Sequence, residues 1–328
     1  AEVYGKDPLE IKNGLKILEK TVPAIDEDTI TLAANAARQA WWRLSKKHEI
    51  GAIYIGSESH PYAVKSSSSV VGDVLGISPE FTAADLEFAC KAGTAGIQMV
   101  LSHVQAGRVD AGIAIGADTA QGAPGDALEF SAASASAAFV IGEKDIIARI
   151  VDTLSFTTDT PDFWRREHQK YPAHGGRFTG QPAYFKHIIN ATNRILEKNK
   201  MTVEDFNHIV FHMPNGKFPV QVAKSLKVSR EQLEIGLVSP VLGNSYSACS
   251  LVGLARVLDN AKPREKILLT SYGSGAGSDS FILEVTDNIM DYRKRSKDLE
   301  FDRTVQEQID TKIYLNYGQY VRNAKKLK

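Results

Sequence analysis

Cysteine is scarce in this sequence, which contains only Cys90 and Cys249. Two cysteines are too few for a disulfide framework or a cysteine-rich zinc site, so we expect a protein of the reducing cytoplasm. Long hydrophobic runs are also missing, and no apolar stretch would span a bilayer, which argues against an integral membrane protein. The 39 basic residues balance 39 acidic ones, so nothing indicates a nucleic acid or a membrane surface as a partner.

What the sequence does contain is the composition of an ordinary globular protein. Its 328 residues are 43% hydrophobic and 24% charged. A chain of this length can bury one large core or two closely packed ones.

Apolar runs of strand length alternate with helical patterns over most of the chain. This alternation predicts parallel-type sheets with helices on their faces. The predicted strands cover residues 50–56, 111–116, 137–142, 147–156, 208–212, 266–271 and 280–285. The predicted helices cover residues 1–23, 29–46, 65–76, 90–106, 185–198, 218–226 and 248–260.

One half of the sequence repeats the other at a single constant offset. The matched positions include Ile53 with Val210, Gly96 with Gly253, and Cys90 with Ser247. The match divides the chain into a first half (1–146), a second half (147–286) and a charged, helical tail (287–328) without a counterpart. The equivalent of strand 147–156 would fall before residue 1, so we expect the first half to lack its opening strand in this chain.

Cys90 lies where an apolar approach meets the start of a helix, and small residues follow it. Unpaired N–H groups at a helix start favour a negative thiolate, and small neighbours leave room for a substrate. A buried structural cysteine is the alternative. Cys249, inside a helix among small apolar residues, fits that alternative better. Cys90 is therefore the candidate for a covalent nucleophile.

Three further polar residues follow strands or precede helices, where chemistry gathers in open α/β sheets. Glu58 follows an apolar strand, so partial desolvation would raise its pKa and make it a usable base, although a solvated loop glutamate is the ordinary alternative. His212 ends a strand before an exposed turn. Asn244 stands at a helix start, either as a plain cap or as a group that holds a carbonyl oxygen.

Two other patterns in the sequence bear on ligand binding. His208 and His212 are about 13 Å apart at strand rise, too far for one metal ion, so we expect no metal at the site. The glycine-rich segment 272–277 is followed by a strand, unlike a nucleotide-binding loop, and instead predicts close backbone approach to a substrate.

Taken together, these residues strongly resemble hydroxymethylglutaryl-CoA synthases of the archaeal type, within the thiolase superfamily. The resemblance covers essentially the whole chain. It rests on the segments Gly56-Ser57-Glu58-Ser59, Glu87-Phe88-Ala89-Cys90-Lys91-Ala92-Gly93-Thr94-Ala95-Gly96, Gly116-Ala117-Asp118-Thr119-Ala120, Phe211-His212-Met213-Pro214-Asn215-Gly216-Lys217, Gly243-Asn244-Ser245-Tyr246-Ser247 and Ser271-Tyr272-Gly273-Ser274-Gly275.

The resemblance implies a thiolase fold, an α/β protein of two pseudo-symmetric halves in a five-layer αβαβα sandwich. It also implies condensation of acetyl-CoA with acetoacetyl-CoA and water to 3-hydroxy-3-methylglutaryl-CoA and CoA, in the mevalonate pathway. By motif, Cys90 would carry the acetyl group and Glu58 would deprotonate its methyl. His212 would hydrogen-bond the attacked carbonyl, and Asn244 would help to orient it.

The resemblance further suggests substrate or CoA contacts, partners and cofactors. The candidate contact residues are Lys217, Asp118, Asp162, Tyr184, Tyr246, Gly273 and Ser274. No cofactor is expected beyond the CoA thioesters. The expected partners are a second copy, as a homodimer or dimer of dimers, and a complex with an acetoacetyl-CoA thiolase and a small OB-fold zinc-ribbon protein.

Three alternatives stay open at the level of sequence. A type III ketoacyl synthase shares the Cys/His/Asn pattern, but its decarboxylative condensation needs no base at Glu58. A thiolase proper needs a second catalytic cysteine late in the chain, and the segment around Gly273 has none. A non-catalytic scaffold of the same fold would form no thioester at Cys90.

Overall fold

The computed structural model describes residues 2–45, 48–120, 122–297, 303–324 and 326. Its strands are β1 (Ile50–Gly56), β2 (Thr82–Leu86), β3 (Ala111–Thr119), β4 (Ser134–Gly142), β5 (Ala148–Thr157), β6 (Phe163–Trp164), β7 (Ala173–His174), β8 (His208–Phe211), β9 (Lys266–Thr270) and β10 (Gly277–Val285). Its helices are α1 (Pro8–Leu15), α2 (Thr29–Trp42), α3 (Ser67–Val74), α4 (Ala92–Gln105), α5 (Gly176–Phe178), α6 (Phe185–Asn199), α7 (Phe218–Leu226), α8 (Arg230–Glu234), α9 (Ser239–Leu242), α10 (Cys249–Asn260), α11 (Asn288–Lys297), α12 (Val305–Asp310) and α13 (Tyr317–Asn323). None of the helices in these ranges has the length and apolar character needed to cross a bilayer.

Two four-stranded sheets form the frame. The first has the order β2-β1-β3-β4, with β1 parallel to both neighbours and β4 antiparallel to β3. The second has the order β5-β10-β9-β8, with β8 parallel to β9 and β10 antiparallel to both of its neighbours. Whereas β5 covers the outer edge of β10, the corresponding edge of β4 carries no strand among the described residues.

Helices and sheets alternate in five layers, as expected from the resemblance. The side chains of each strand alternate between its two faces, so Ile53 and Ile55 pack with α2 and α3, and Tyr54 packs with α4. Helices α4 and α10 share the central layer, where Val100 and Val257 belong to one core that reaches both sheets. Helices α6 and α7 cover the outer face of the second sheet.

The N-terminal segment differs from the predicted helix over 1–23. Helix α1 begins after Asp7, whose side chain caps it, and ends at Leu15, before Lys16 adopts a left-handed conformation (φ 55°). The chain then runs without helix along the second half, where Leu18 and Thr21 donate backbone hydrogen bonds to the carbonyls of Pro240 and Leu242. These tertiary bonds replace the helical ones that the apolar spacing suggested.

Strand β2 is absent from the strands predicted from the sequence, where the approach to Cys90 was described only as apolar. Its first residues, Thr82 and Ala83, are exposed, so it lacks the apolar run that marks the other strands. It forms because its backbone pairs with β1 in parallel register.

The tail is helical in its described part, as predicted. Helices α11, α12 and α13 follow β10, and residues 298–302 lie outside the described ranges. The tail is packed against the body, since Ile309, Tyr320 and Val321 are buried.

Candidate active site

The candidate residues gather at one end of both sheets. Glu58 and Asp118 lie at the carboxyl ends of β1 and β3, and His212 follows β8. Cys90 lies two residues before α4, and Asn244 precedes α10. Carboxyl ends of parallel strands meet at the same sheet edge, which is why residues far apart in sequence converge here.

Cys90 sits on a tight turn with a left-handed residue just before it. Ala89 has φ 45°, a conformation that non-glycine residues rarely adopt. The matching position of the second half, Tyr246, has φ 50° and precedes Ser247, the counterpart of Cys90. The repeat is therefore preserved in backbone conformation even where the side chains differ.

The two turns are in direct contact. The Ser247 hydroxyl donates a hydrogen bond to the Ala89 carbonyl at 2.9 Å. Gly116 of β3 lies against the same place, where an added Cβ would stand 2.3 Å from the Ser247 carbonyl oxygen. Glycine at this position lets the two halves approach each other beside the nucleophile.

Gly116→Ala is expected to lower the free energy of unfolding by about 1–3 kcal/mol, because the nearest group, the Ser247 carbonyl, is backbone and cannot turn aside. Gly14→Ala is the matched control, since nothing lies within 4 Å of an added Cβ there. Denaturant unfolding of both variants measures the difference. A Gly116→Ala protein as stable as the control would contradict the close approach.

Cys90 and Glu58 form a hydrogen-bonded pair. The Cys90 thiol donates to Glu58 Oε1 at 3.3 Å, and Cys90 is 6% exposed. Burial, and then the Glu58 charge, raises the pKa of Cys90 well above its ordinary value. Burial, and then the Asp118 charge, likewise raises the pKa of Glu58. Two adjacent buried acids cannot both ionise readily, so they favour one shared proton.

The Cys90–Glu58 pair differs from the expectation for Cys90 and agrees with the one for Glu58. The helix start was expected to favour a thiolate at Cys90, but burial and the neighbouring carboxylate outweigh it, and the free protein holds a thiol. The expected rise of the Glu58 pKa through desolvation is present.

Asp118 anchors the turn that carries Glu58. Its Oδ1 accepts hydrogen bonds from the Ser57 hydroxyl (2.8 Å), the Glu58 backbone N–H (2.8 Å) and the Ser59 hydroxyl (2.7 Å). Its Oδ2 accepts from the Ser247 backbone N–H at 2.8 Å. Burial raises its pKa despite these donors. Asp118 is fully buried, and these hydrogen bonds join the two halves of the protein beside Glu58.

His212 is buried and held by aromatic neighbours. Its backbone N–H donates to the Thr270 carbonyl at 3.0 Å, and its own carbonyl accepts from the Tyr184 hydroxyl at 2.6 Å. Its ring centroid lies 6.2 Å from that of Tyr272. Burial lowers the pKa of His212 to about 3, so the imidazole is neutral at physiological pH. The hydroxyl of Tyr184, a candidate for substrate contact, is thus bonded to the backbone of His212.

The low pKa of His212 has a measurable effect on stability. The unfolded chain protonates this histidine near its ordinary pKa of 6.5, while the folded chain does so only near 3. The free energy of unfolding is therefore expected to fall as the pH drops from 6.5 toward 3. Urea unfolding at a series of pH values tests this. His212→Asn should flatten the slope, and His168→Asn, which changes an exposed histidine, should not.

Asn244 is fixed through its backbone and its side-chain oxygen. Its N–H donates to the Ser131 carbonyl at 2.7 Å, and its carbonyl accepts from the Ala133 N–H at 2.8 Å. Its Oδ1 accepts from the Tyr246 N–H at 3.0 Å. Asn244 therefore does not cap α10, whose N-cap is Ala248, but closes a short turn with its side-chain oxygen. The amide NH₂ is left as the group that can donate to a ligand.

Asp162 holds the glycine-rich loop after β9. It is fully buried, its Oδ2 accepts from the Tyr272 hydroxyl at 2.7 Å, and its Oδ1 accepts from the Gly275 N–H at 2.9 Å. Asp162 was a candidate for substrate contact, and in the structure both of its carboxylate oxygens accept hydrogen bonds from the protein itself. Gly273 likewise approaches the protein, because an added Cβ would lie 2.4 Å from the Phe88 carbonyl oxygen.

The remaining candidates occupy different environments. Tyr246 is buried in a cluster with Cys90, Ala120 and Ala132. Ser274 is half-buried beside Gly273, and Lys217 is exposed immediately before α7.

A buried ion pair next to Cys90 was not anticipated. Lys91 Nζ lies 3.1 Å from Asp279 Oδ2, and the side chains of both residues are buried. Asp279 also accepts from the hydroxyls of Thr94 and Ser155. The pair ties the first turn of α4 to β10, and no local pattern signals it because the partners are distant in sequence.

Comparison with family models gives one match. Residues 196–285 match the model described as 3-oxoacyl-[acyl-carrier-protein] synthase III C terminal. The match covers most of the second half, including β8, α10, β9 and β10.

Solved structures of low sequence identity share the fold. A crystal structure of HMG-CoA synthase complexed with CoA superposes with a TM-score of 0.85 at 24% identity and covers 100% of this chain and 84% of that one. A structure of MvaS in complex with 3-hydroxy-3-methylglutaryl coenzyme A gives a TM-score of 0.87 at 21% identity, over 99% and 87% of the two chains.

Curated relatives are much more similar in sequence. The hydroxymethylglutaryl-CoA synthase of Archaeoglobus fulgidus is 54% identical over 100% of this chain and 94% of its own length. Those of Methanosphaera stadtmanae and Methanocaldococcus jannaschii are 53% and 52% identical, again over 100% of this chain and 93% and 94% of their own lengths. The chain belongs to the hydroxymethylglutaryl-CoA synthase family.

Proposed function

We propose that the protein condenses acetyl-CoA with acetoacetyl-CoA and water to give 3-hydroxy-3-methylglutaryl-CoA and CoA, in the cytoplasm and as a step toward isoprenoids. The observation that carries the proposal is the contact of 3.3 Å between the Cys90 thiol and Glu58. A nucleophile and a base of raised pKa within hydrogen-bond reach are what an acyl transfer followed by carbon deprotonation requires.

In the first step the Cys90 sulfur attacks the thioester carbonyl of acetyl-CoA. The thiol proton passes to Glu58, the bond between the carbonyl carbon and the CoA sulfur breaks, and the CoA thiolate takes up the proton. The protein then carries a Cys90 thioester, and Glu58 is a carboxylate again. We expect backbone N–H groups near Cys90 and in the loop 273–275 to supply donors for the oxyanion formed on the way.

In the second step Glu58 removes a proton from the methyl group of the acetyl thioester. The resulting enolate carbon attacks the ketone carbonyl of acetoacetyl-CoA, and the new alkoxide takes the proton back. The neutral His212 imidazole donates a hydrogen bond to that ketone oxygen, and the Asn244 NH₂ assists. A neutral donor suits this role, because it polarises the carbonyl without surrendering its proton early.

In the third step water attacks the Cys90 thioester and releases the product with a free thiol. The chemistry needs no cofactor beyond the CoA thioesters. Lys217 is exposed before α7, and we propose that it contacts a CoA phosphate or pantetheine.

The test is incubation of the purified protein with both thioesters, followed by chromatographic separation of the CoA esters and mass spectrometry of the intact protein. We expect an acetyl group on Cys90 from acetyl-CoA alone and 3-hydroxy-3-methylglutaryl-CoA when acetoacetyl-CoA is added. A product formed only from a decarboxylating malonyl substrate would favour a ketoacyl synthase. No thioester at all would favour a scaffold.

The expected assembly is a homodimer or a dimer of dimers. The outer edge of β2 carries no strand in the described ranges, and the loop before α3 exposes Tyr62 and Val64. An open edge of this kind offers backbone groups for pairing with a second copy. Light scattering after gel filtration measures the mass, and co-purification tests a complex with an acetoacetyl-CoA thiolase and an OB-fold zinc-ribbon protein.

A further inference from the structure

The end of the tail packs against segment 122–133, which lies beside the candidate active site. Tyr320, Val321 and Ala324 form a small apolar cluster with Val22 and Tyr317. Beyond this cluster Lys326 reaches the segment 122–133 between β3 and β4. The tail is absent from the internal repeat, so it is an addition to the two-half body at this place.

Lys326 forms a buried ion pair with Glu129. Their Nζ and Oε1 atoms are 2.8 Å apart, and the two side chains are 1% and 3% exposed. Lys326 also donates to the Gly122 carbonyl at 2.8 Å. Glu129 Oε2 accepts the Gly125 N–H at 2.8 Å, so one carboxylate joins the tail to the start of this segment.

The same segment continues directly to Asn244. Lys20 donates to the carbonyls of both Glu129 and Ala132, which fixes the stretch between them. Ser131 and Ala133 then bond to the two backbone groups of Asn244, and Ala132 packs in the cluster of Cys90 and Tyr246. An unbroken set of bonded groups therefore runs from Lys326 to the proposed carbonyl donor.

We propose that Lys326 is a positioning residue for the condensation step, acting through Glu129 and segment 122–133 to hold Asn244. The inference rests on the proposed function. It assigns the tail a role in catalysis separate from any role in partner binding. Acetylation of Cys90 should change little, because the Ala89 carbonyl before Cys90 is bonded to Ser247 and the Glu58 backbone is bonded to Asp118, and neither bond involves segment 122–133.

The test compares Lys326→Met with Lys326→Arg and with Lys294→Met, which changes an exposed tail lysine. We expect Lys326→Met to lower kcat for condensation about tenfold, a change of the size that positional coupling through packed networks produces. The rate of Cys90 acetylation by acetyl-CoA alone should stay within about twofold of the parent protein. Lys326→Arg should recover most of the lost kcat, and Lys294→Met should match the parent protein.

Glu129→Gln combined with Lys326→Met supplies a neutral pair if the single variant folds poorly. Equal loss of acetylation and condensation in Lys326→Met, in step with a lower unfolding temperature, would reduce Lys326 to a stabilising residue and overturn the inference. An unchanged kcat in a folded Lys326→Met protein would overturn it as well. Absence of condensation in the parent protein would instead refute the proposed function.

Discussion

Cys90→Ala is expected to abolish the acetyl thioester and to lower the rate of condensation by about 10⁴-fold or more. The reason is that Cys249, the second of the two cysteines in the sequence, is fully buried in α10 with its thiol against the Met213 carbonyl and cannot take the acetyl group. Mass spectrometry after mixing with acetyl-CoA, together with the rate of product formation, measures both effects.

Cys249→Ala is the matched control, because it removes the same chemical group from the equivalent region of the other half. It should keep the thioester and most of the activity. Acetylation that survives in Cys90→Ala and disappears in Cys249→Ala would show that the nucleophile has been assigned to the wrong half.

Glu58→Gln is expected to slow condensation by about 10²–10⁴-fold, the range that a general base contributes. Acetylation of Cys90 should be slowed much less, because in that step Glu58 only relays the thiol proton to the departing CoA sulfur. The substitution also removes a negative neighbour that raises the pKa of Cys90. The Cys90 pKa should therefore fall, and acetylation should reach a given rate at a lower pH than in the parent protein. Rapid-quench measurement of the acetylated protein at several pH values separates the two half-reactions.

Glu87→Gln provides the control, because Glu87 lies in the same approach to Cys90 but is exposed. It should leave both half-reactions nearly unchanged. If acetylation in Glu58→Gln fell as far as condensation, the main role of Glu58 would be deprotonation of the thiol, and the methyl group would need another base.

The parts of the fold that the sequence predicted are those where local pattern and tertiary environment agree. Buried strands such as β1 and β3 are continuous apolar runs, and helices such as α6 and α10 carry apolar faces toward the cores. The internal repeat also predicted which positions of the first half correspond to which positions of the second half. Strand β2 was missed because its stability comes from pairing with β1, which leaves no local trace.

The chemical residues could be named from sequence because each follows a strand or precedes a helix, but their environments could not. Asp162 and Tyr272 are bonded across 110 positions of the chain, and no local pattern shows that the carboxylate faces inward. The protonation of Cys90 depended on burial and on the approach of Glu58, which only the packed structure shows. The burial of Lys326 could not be predicted, because this lysine lies in a charged terminal stretch whose composition is typical of a solvated surface.

The paired turns at Ala89 and Tyr246 bear on the origin of the protein. Two left-handed residues at equivalent places, each before the position of a nucleophile, are what gene duplication would leave if both copies once held the same strained turn. Only the first of the two turns carries a cysteine. In the other, Ser247 donates to the Ala89 carbonyl and to Asp118, so the second turn supports the turn that holds Cys90. The left-handed residue of the second turn therefore has a structural role, because it places Ser247 where it supports the turn that holds Cys90.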